Sequence, residues 1–132
     1  MSDREAIDRV LNNFVTAFNK GDVAACLASL ADDVLVMPPN APAISGRQPY
    51  GAWIEGLLEV VSIEETISEH HTEIAGDWAF DSGHWEATIT QRADDQQFED
   101  RGDYVWVLRK AADGSWATVQ MIWNSDNPLA EQ

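Results

Sequence analysis

The hydrophobic period of the chain changes once, near residue 62, from 3.6 to 2. A helical period buries one stripe of each cylinder, and an alternating period buries one face of a sheet. A chain of 132 residues that is helical first and alternating afterwards is therefore restricted to helices laid on one face of an antiparallel sheet, the α+β class. Ser2-Asp3-Arg4-Glu5 is a capping box, and Ile7, Val10, Leu11, Phe14, Val15 and Phe18 follow at helical spacing up to Gly21. Asp22 suits the cap of a second, short helix carrying Val23, Cys26, Leu27 and Leu30. Val34 to Met37 reads as a short strand, ended by the proline-rich stretch from Pro38 to Pro42. Pro49 fits the first turn of a third helix, whose buried stripe is Tyr50, Trp53, Ile54, Leu57, Leu58 and Val61.

Four strands are predicted beyond that point. Ile63–Ile74 and Trp78–Gln91 flank Gly76-Asp77, and Gly102–Lys110 and Trp116–Asn124 flank Asp113-Gly114. Residues 92–101 read as a polar loop, and the acidic residues Asp94, Asp95, Glu99 and Asp100 as solvated. The sequence shows no internal repeat or linker, which predicts a single domain over residues 1–132. Eight basic and 23 acidic residues give a net charge of −15, which excludes the basic stripe of a nucleic-acid binder and disfavours an anionic membrane surface. A lone Cys26 excludes an internal disulfide and a multi-cysteine zinc site. The charged N-terminus lacks the apolar region of a signal peptide, so a cytoplasmic location is expected.

Three segments carry a family likeness: FNKGDVAACLASLADDVLVMPPNAPAISGR, GDWAF, and LRKAADGSW with MIWNSDNP. Together they resemble the nuclear-transport-factor-two-like superfamily, in its SnoaL-like and ketosteroid-isomerase-like branch, over nearly the whole chain. The resemblance implies a cystatin-like cone: three N-terminal helices packed on a strongly bent, mainly antiparallel sheet around an apolar pocket. It also implies a homodimer paired through the outer sheet face. The superfamily includes isomerases, cyclases, dehydratases, epoxide hydrolases and non-catalytic binders, so the fold does not decide the function.

The proton-transfer set of ketosteroid isomerase does not carry over. Its helical tyrosine falls on Phe14, its basic aspartate on Met37 or Pro38, and its oxyanion-binding aspartate on Trp106. None of these side chains can act as a carboxylate base or donate to an enolate oxygen. The pocket tryptophan of the family is matched by Trp123.

Hairpin register supplies other candidates. With Gly76-Asp77 as the loop, paired numbers sum to 153, which places Thr72 opposite Asp81 and His70 diagonal to it. A carboxylate that orients an imidazole is a workable general base, so Asp81 and His70 are the candidate catalytic pair. His71 and His84 fall on the opposite face. Trp85, Ala87 and Ile89 favour the odd-numbered face of their strand as the inner one, whereas Trp78 and Phe80 favour the even-numbered face. A β-bulge near Ser82-Gly83 would satisfy both; without it, Trp78 and Phe80 are left for a partner subunit. In the second hairpin, numbers summing to 227 pair Tyr104 with Trp123, Trp106 with Met121 and Leu108 with Val119.

The expected ligand pocket is formed by Phe14, Phe18, Met37, Trp53 and Leu57, closed by Tyr104, Trp106, Met121 and Trp123. Such a lining suits a small apolar molecule. No cofactor and no metal site is expected. Val105, Val107, Ile122 and Trp116 form an apolar outer face expected to pair with a second copy. The chain is thus read as a small-molecule-binding protein, with isomerase-, cyclase- or dehydratase-type catalysis as one reading of its role. The alternative is a non-catalytic binding or dimeric assembly domain.

Overall fold

The computed structural model describes residues 1–127. Helix α1 (Asp3–Lys20) opens on the Ser2–Glu5 capping box and stops at Gly21, whose φ of 73° is the left-handed conformation that glycine adopts without strain. Its buried stripe is Ile7, Leu11, Phe14 and Ala17. Asp22 caps the short helix α2 (Val23–Leu27) through the Ala25 amide at 3.1 Å. Strand β1 (Leu30–Met37) is longer than its apolar run predicts, and a two-residue strand β2 (Ile44–Ser45) pairs with it after the proline stretch. Helix α3 spans Arg47–Val60.

The four strands of the alternating half are β3 (Val61–Ala75), β4 (Trp78–Gln91), β5 (Gln97–Lys110) and β6 (Trp116–Trp123). With β1 and β2 they form one six-stranded sheet in the order β2-β1-β6-β5-β4-β3, antiparallel except where β1 runs parallel to β6. The α+β architecture, with helices against one face of a mixed sheet, agrees with the sequence reading. Residues 97–101, expected in a loop, extend β5, so Asp100 stands on the sheet. Among the described residues, no helix is long and apolar enough to cross a membrane.

The register holds as predicted at the Gly76 turn, with Ala75 opposite Trp78 and Thr72 opposite Asp81. The bulge, however, lies on β3 rather than at Ser82-Gly83. Glu69 and His70 together oppose Gly83, with Glu69 at a φ of 53°. Strand β4 therefore alternates without interruption: Ala79, Asp81, Trp85 and Ala87 are buried, and Trp78 and Phe80 are exposed. The bulge flips β3 instead, turning Ile63, Glu65 and Ile67 inward on one side of it and Thr72 and Ile74 on the other. Gly83 is required at this point, because a Cβ there would lie 2.9 Å from His70 and from the Tyr104 ring.

A second shift separates Val107 from Leu108. Tyr104 pairs with Trp123 and Trp106 with Met121 as expected, but Leu108 pairs with Thr118 and not Val119. The turn between β5 and β6 spans Ala111 to Ser115, longer than a two-residue Asp113-Gly114 loop. Trp116 consequently faces inward, buried, with its indole N–H donating to Asp3 at 3.1 Å. Its expected place on the outer face does not hold.

Candidate functional site

The helices and the inner sheet face form a cavity of about 240 Å³. Helix α1 contributes Phe14 and Phe18, and α3 contributes Tyr50, Trp53 and Leu57. The sheet closes it with Tyr104, Trp106, Met121 and Trp123, beside Trp85 and Ala87. Aromatic edges lock these walls. The Phe14 and Trp106 rings meet edge-on at 5.0 Å, and Trp53 meets Trp123 at 6.2 Å. Trp53 and Phe98, 36% and 45% exposed, stand at the mouth.

Of the nine pocket residues expected from sequence, eight line this cavity. Met37 does not. Val34 and Val36 point inward from β1, so the alternation of the strand turns Met37 to the other face, beside the exposed Ile122.

Asp81 and His70 come together as the register requires, His70 Nδ1 lying 3.0 Å from Asp81 Oδ1. Asp81 is fully buried and also accepts from the Thr72 hydroxyl at 2.6 Å and the Tyr104 hydroxyl at 2.5 Å. Neither Asp81 nor His70 is part of the cavity wall. Asp81 lies one row deeper in the sheet, opposite Trp106, and the Trp106 and Tyr104 side chains provide the wall there. The pair thus holds Tyr104, and Tyr104 faces the cavity. Burial and the bond to Asp81 push the Tyr104 phenol well above its ordinary range, so it stays protonated. His71 and His84 point elsewhere and pair with Glu73 at 2.6 Å and Asp103 at 3.3 Å.

One carboxylate that does face the cavity is Glu65. Asn19 of α1 grips its backbone twice: its amide donates to the Glu65 carbonyl at 2.9 Å, and its carbonyl accepts from the Glu65 N–H at 2.8 Å. The backbone is thereby fixed, while the carboxyl forms no hydrogen bond or ion pair among the described residues and lines the cavity with Ile63, Ile67 and the aromatic wall. Desolvation pushes its pKa up from 4.5 to about 7. Tyr50, the other cavity tyrosine, is buried on α3. Desolvation, with Cys26 and Glu65 nearby, raises it far beyond neutral pH, so its hydroxyl stays protonated and can donate a hydrogen bond at working pH. A carboxyl near neutrality beside a protonated phenol can take a proton from a bound molecule, return it, and hydrogen-bond a developing oxyanion.

Asp100 is the second carboxylate in the lining. Glu65 pairs with Ala87, and Ala87 with Asp100, so the two acids share one row of the inner face with only a methyl group between them. Two strand spacings put their backbones roughly 10 Å apart. Asp100 Oδ1 accepts from the Ser125 hydroxyl at 2.5 Å and the Arg101 amide at 2.9 Å.

Sequence reasoning missed both acids. The run Ser62-Ile63-Glu64-Glu65-Thr66-Ile67 reads as a charged edge, but Glu65 shares the parity of Ile63 and Ile67, and that alternation was the available signal. Asp100 was missed because its strand was read as loop.

These features agree with what the chain resembles. The SnoaL-like domain profile matches residues 11–119. No curated protein matches the chain. Among solved structures, a ketosteroid isomerase-like protein from Erwinia carotovora atroseptica is similar, at 28% identity and a TM-score of 0.82, over 94% of this chain and 96% of the other. A protein of Novosphingobium aromaticivorans, provisionally named scytalone dehydratase, superposes with a TM-score of 0.86 at 15% identity, over 98% of this chain and 88% of that one. A protein of unknown function with a cystatin-like fold from Nostoc punctiforme gives 0.78 at 19% identity, over 96% and 93% of the two chains. The last two show shared fold alone. Matched over most of its length, the chain belongs to the SnoaL-like family.

Proposed function

We propose that the cavity binds one small, flat, mainly apolar molecule and that Glu65 exchanges a proton with it, in an isomerisation, cyclisation or dehydration. Family membership supports a ligand-binding or enzymatic role in general; the chemistry is read from the site. The observation that carries it is the unpaired Glu65 carboxyl, clamped at its backbone by Asn19 and turned into an aromatic cavity. The raised pKa leaves comparable amounts of acid and carboxylate at neutral pH, which suits a group that must both accept and return a proton. Tyr50 and Tyr104 remain protonated, Tyr50 as hydrogen-bond donor and Tyr104 as a wall fixed by Asp81. In this reading Asp81 and His70 act through Tyr104 and are positioning residues.

The test starts from protein purified from its own host. Native mass spectrometry should show a stoichiometric small molecule that leaves on denaturation. Glu65→Gln should retain that molecule and convert it at least about 100-fold more slowly, the usual contribution of a general base. An unchanged rate in Glu65→Gln would reduce the protein to a binder. A cavity empty in native protein, and unable to take up small aromatic compounds, would contradict the reading altogether.

We further propose that a second copy covers the outer sheet face. Phe80, Val105 and Ile122 are 46%, 40% and 42% exposed and lie in adjacent rows across β4, β5 and β6. In a chain carrying −15, a neutral apolar stripe is where two like-charged copies can approach at least Coulombic cost.

A further inference from the structure

Resting on the proposed binding role of the cavity, the composition of its wall points to a narrower ligand class. We infer that the molecule it takes carries a positively charged, alkylated amine, held between aromatic faces and the Glu65 and Asp100 carboxylates.

Nine of the eighteen lining residues are aromatic, out of twelve aromatic residues in the whole chain. The wall includes two carboxylates and no lysine, arginine or histidine. A neutral apolar ligand would need the rings but not the acids. An anionic ligand would meet two acids with no counter-charge. A cation meets both features: ring faces attract it through their quadrupole, and the carboxylates offset its loss of water. The rings are not already used in this way, since the one cation–π contact among the described residues, Arg109 over Trp78 at 5.8 Å, lies outside the cavity. The row Glu65–Ala87–Asp100 leaves the floor between the acids open, so one positive centre above the Ala87 methyl lies between them. An alkylated ammonium suits this place better than a primary one, because its hydration is weaker and its surface partly apolar. The overall charge of −15 adds a field that draws cations toward the protein.

Proton linkage gives the inference a sign. The groups facing Glu65 are Tyr50 from α3, Cys26 from α2 and Tyr104 from β5, all raised by burial and uncharged at neutral pH, with Asp100 along the sheet row and uncharged Ala87 on β4. None supplies positive charge. A bound cation is then the new favourable partner of the Glu65 carboxylate and drives a proton off it. A neutral ligand dries the cavity further and drives a proton on.

The experiment is calorimetry on the intact protein at pH 7, in buffers of differing ionisation enthalpy. The probes are trimethyl(2-phenylethyl)ammonium and its uncharged counterpart of the same shape, 2-methyl-4-phenylbutan-2-ol. The expected result is that the cation binds at least about tenfold tighter and releases protons. Glu65→Gln should cut the preference severalfold and abolish the release while still binding the alcohol, which shows the cavity is intact. Equal or tighter binding of the alcohol, or proton uptake with the cation, overturns the cationic class and leaves the binding role standing. Binding of neither probe overturns the inference, and it overturns the binding role as well only if host-purified protein also carries no small molecule.

Discussion

Glu65 and Asp81 are both inner-face acids, yet they do opposite things because of what surrounds them. Among the described residues, Asp81 has three hydrogen-bond partners and no access to the cavity, while the Glu65 carboxyl has access and no partner. The Glu65 pKa is raised in the folded state, so this group binds more protons in the native protein than in the unfolded chain between pH 4.5 and about 7. Its contribution to folding stability therefore falls as pH rises across that window. Solvent at the cavity mouth screens part of the cost, leaving on the order of 1–3 kcal/mol. Glu65→Gln should flatten this slope, and urea titrations at pH 5 and pH 8 measure it. For Asp81 the expected effect is different. Asp81→Asn keeps the shape but offers fewer acceptor sites, leaving one of the Thr72 and Tyr104 hydroxyls unpaired, at a cost of about 1–3 kcal/mol. Denaturant midpoints should drop accordingly, with any loss of turnover arising through displacement of Tyr104. A turnover loss with the Tyr104 ring unmoved, seen in the crystal structure of the variant, would instead give Asp81 a direct role.

Among the elements, β3 matters most for the site. Its bulge at Glu69-His70 lets one strand present Glu65 to the cavity and Thr72 to Asp81. Gly83 makes room for it, so Gly83→Ala should destabilise the protein by about 1–3 kcal/mol and push Tyr104 into the cavity. Thermal unfolding, with Tyr104 ring shifts followed by NMR, reads both. The helix stripes and the first hairpin register were legible in sequence, since capping, period and turn chemistry agree there. Four cavity residues followed from the helix stripes, and Tyr104, Trp106, Met121 and Trp123 from the pairing of the second hairpin. A bulge near Gly83 was anticipated but on the wrong strand, and the shift beyond Val107 was not legible: which strand carries two residues against one depends on contacts across the pair, and no local propensity encodes that. Because a single inserted residue flips a strand, the same gap moved Trp116 from the outer face to the core and hid Glu65 among surface charges.

At the scale of the whole molecule, the sheet has two apolar faces with different work to do. The inner one is roofed by α1 and α3 and keeps a void; the outer one carries Phe80, Val105 and Ile122 in the open. Phe80→Glu and Val105→Glu together should yield monomers in sedimentation experiments with the cavity chemistry intact, whereas a wild-type protein already monomeric at tens of micromolar would remove the proposed dimer. Fold and chemistry meet at Glu65, and its titration is the most direct test. In the unliganded protein labelled with carbon-13, the Glu65 carboxyl resonance should move with a midpoint near pH 7. A midpoint near 4.5, the ordinary value of a solvated glutamate, would mean that the carboxyl is not held in a dry aromatic cavity and would contradict its role in proton transfer.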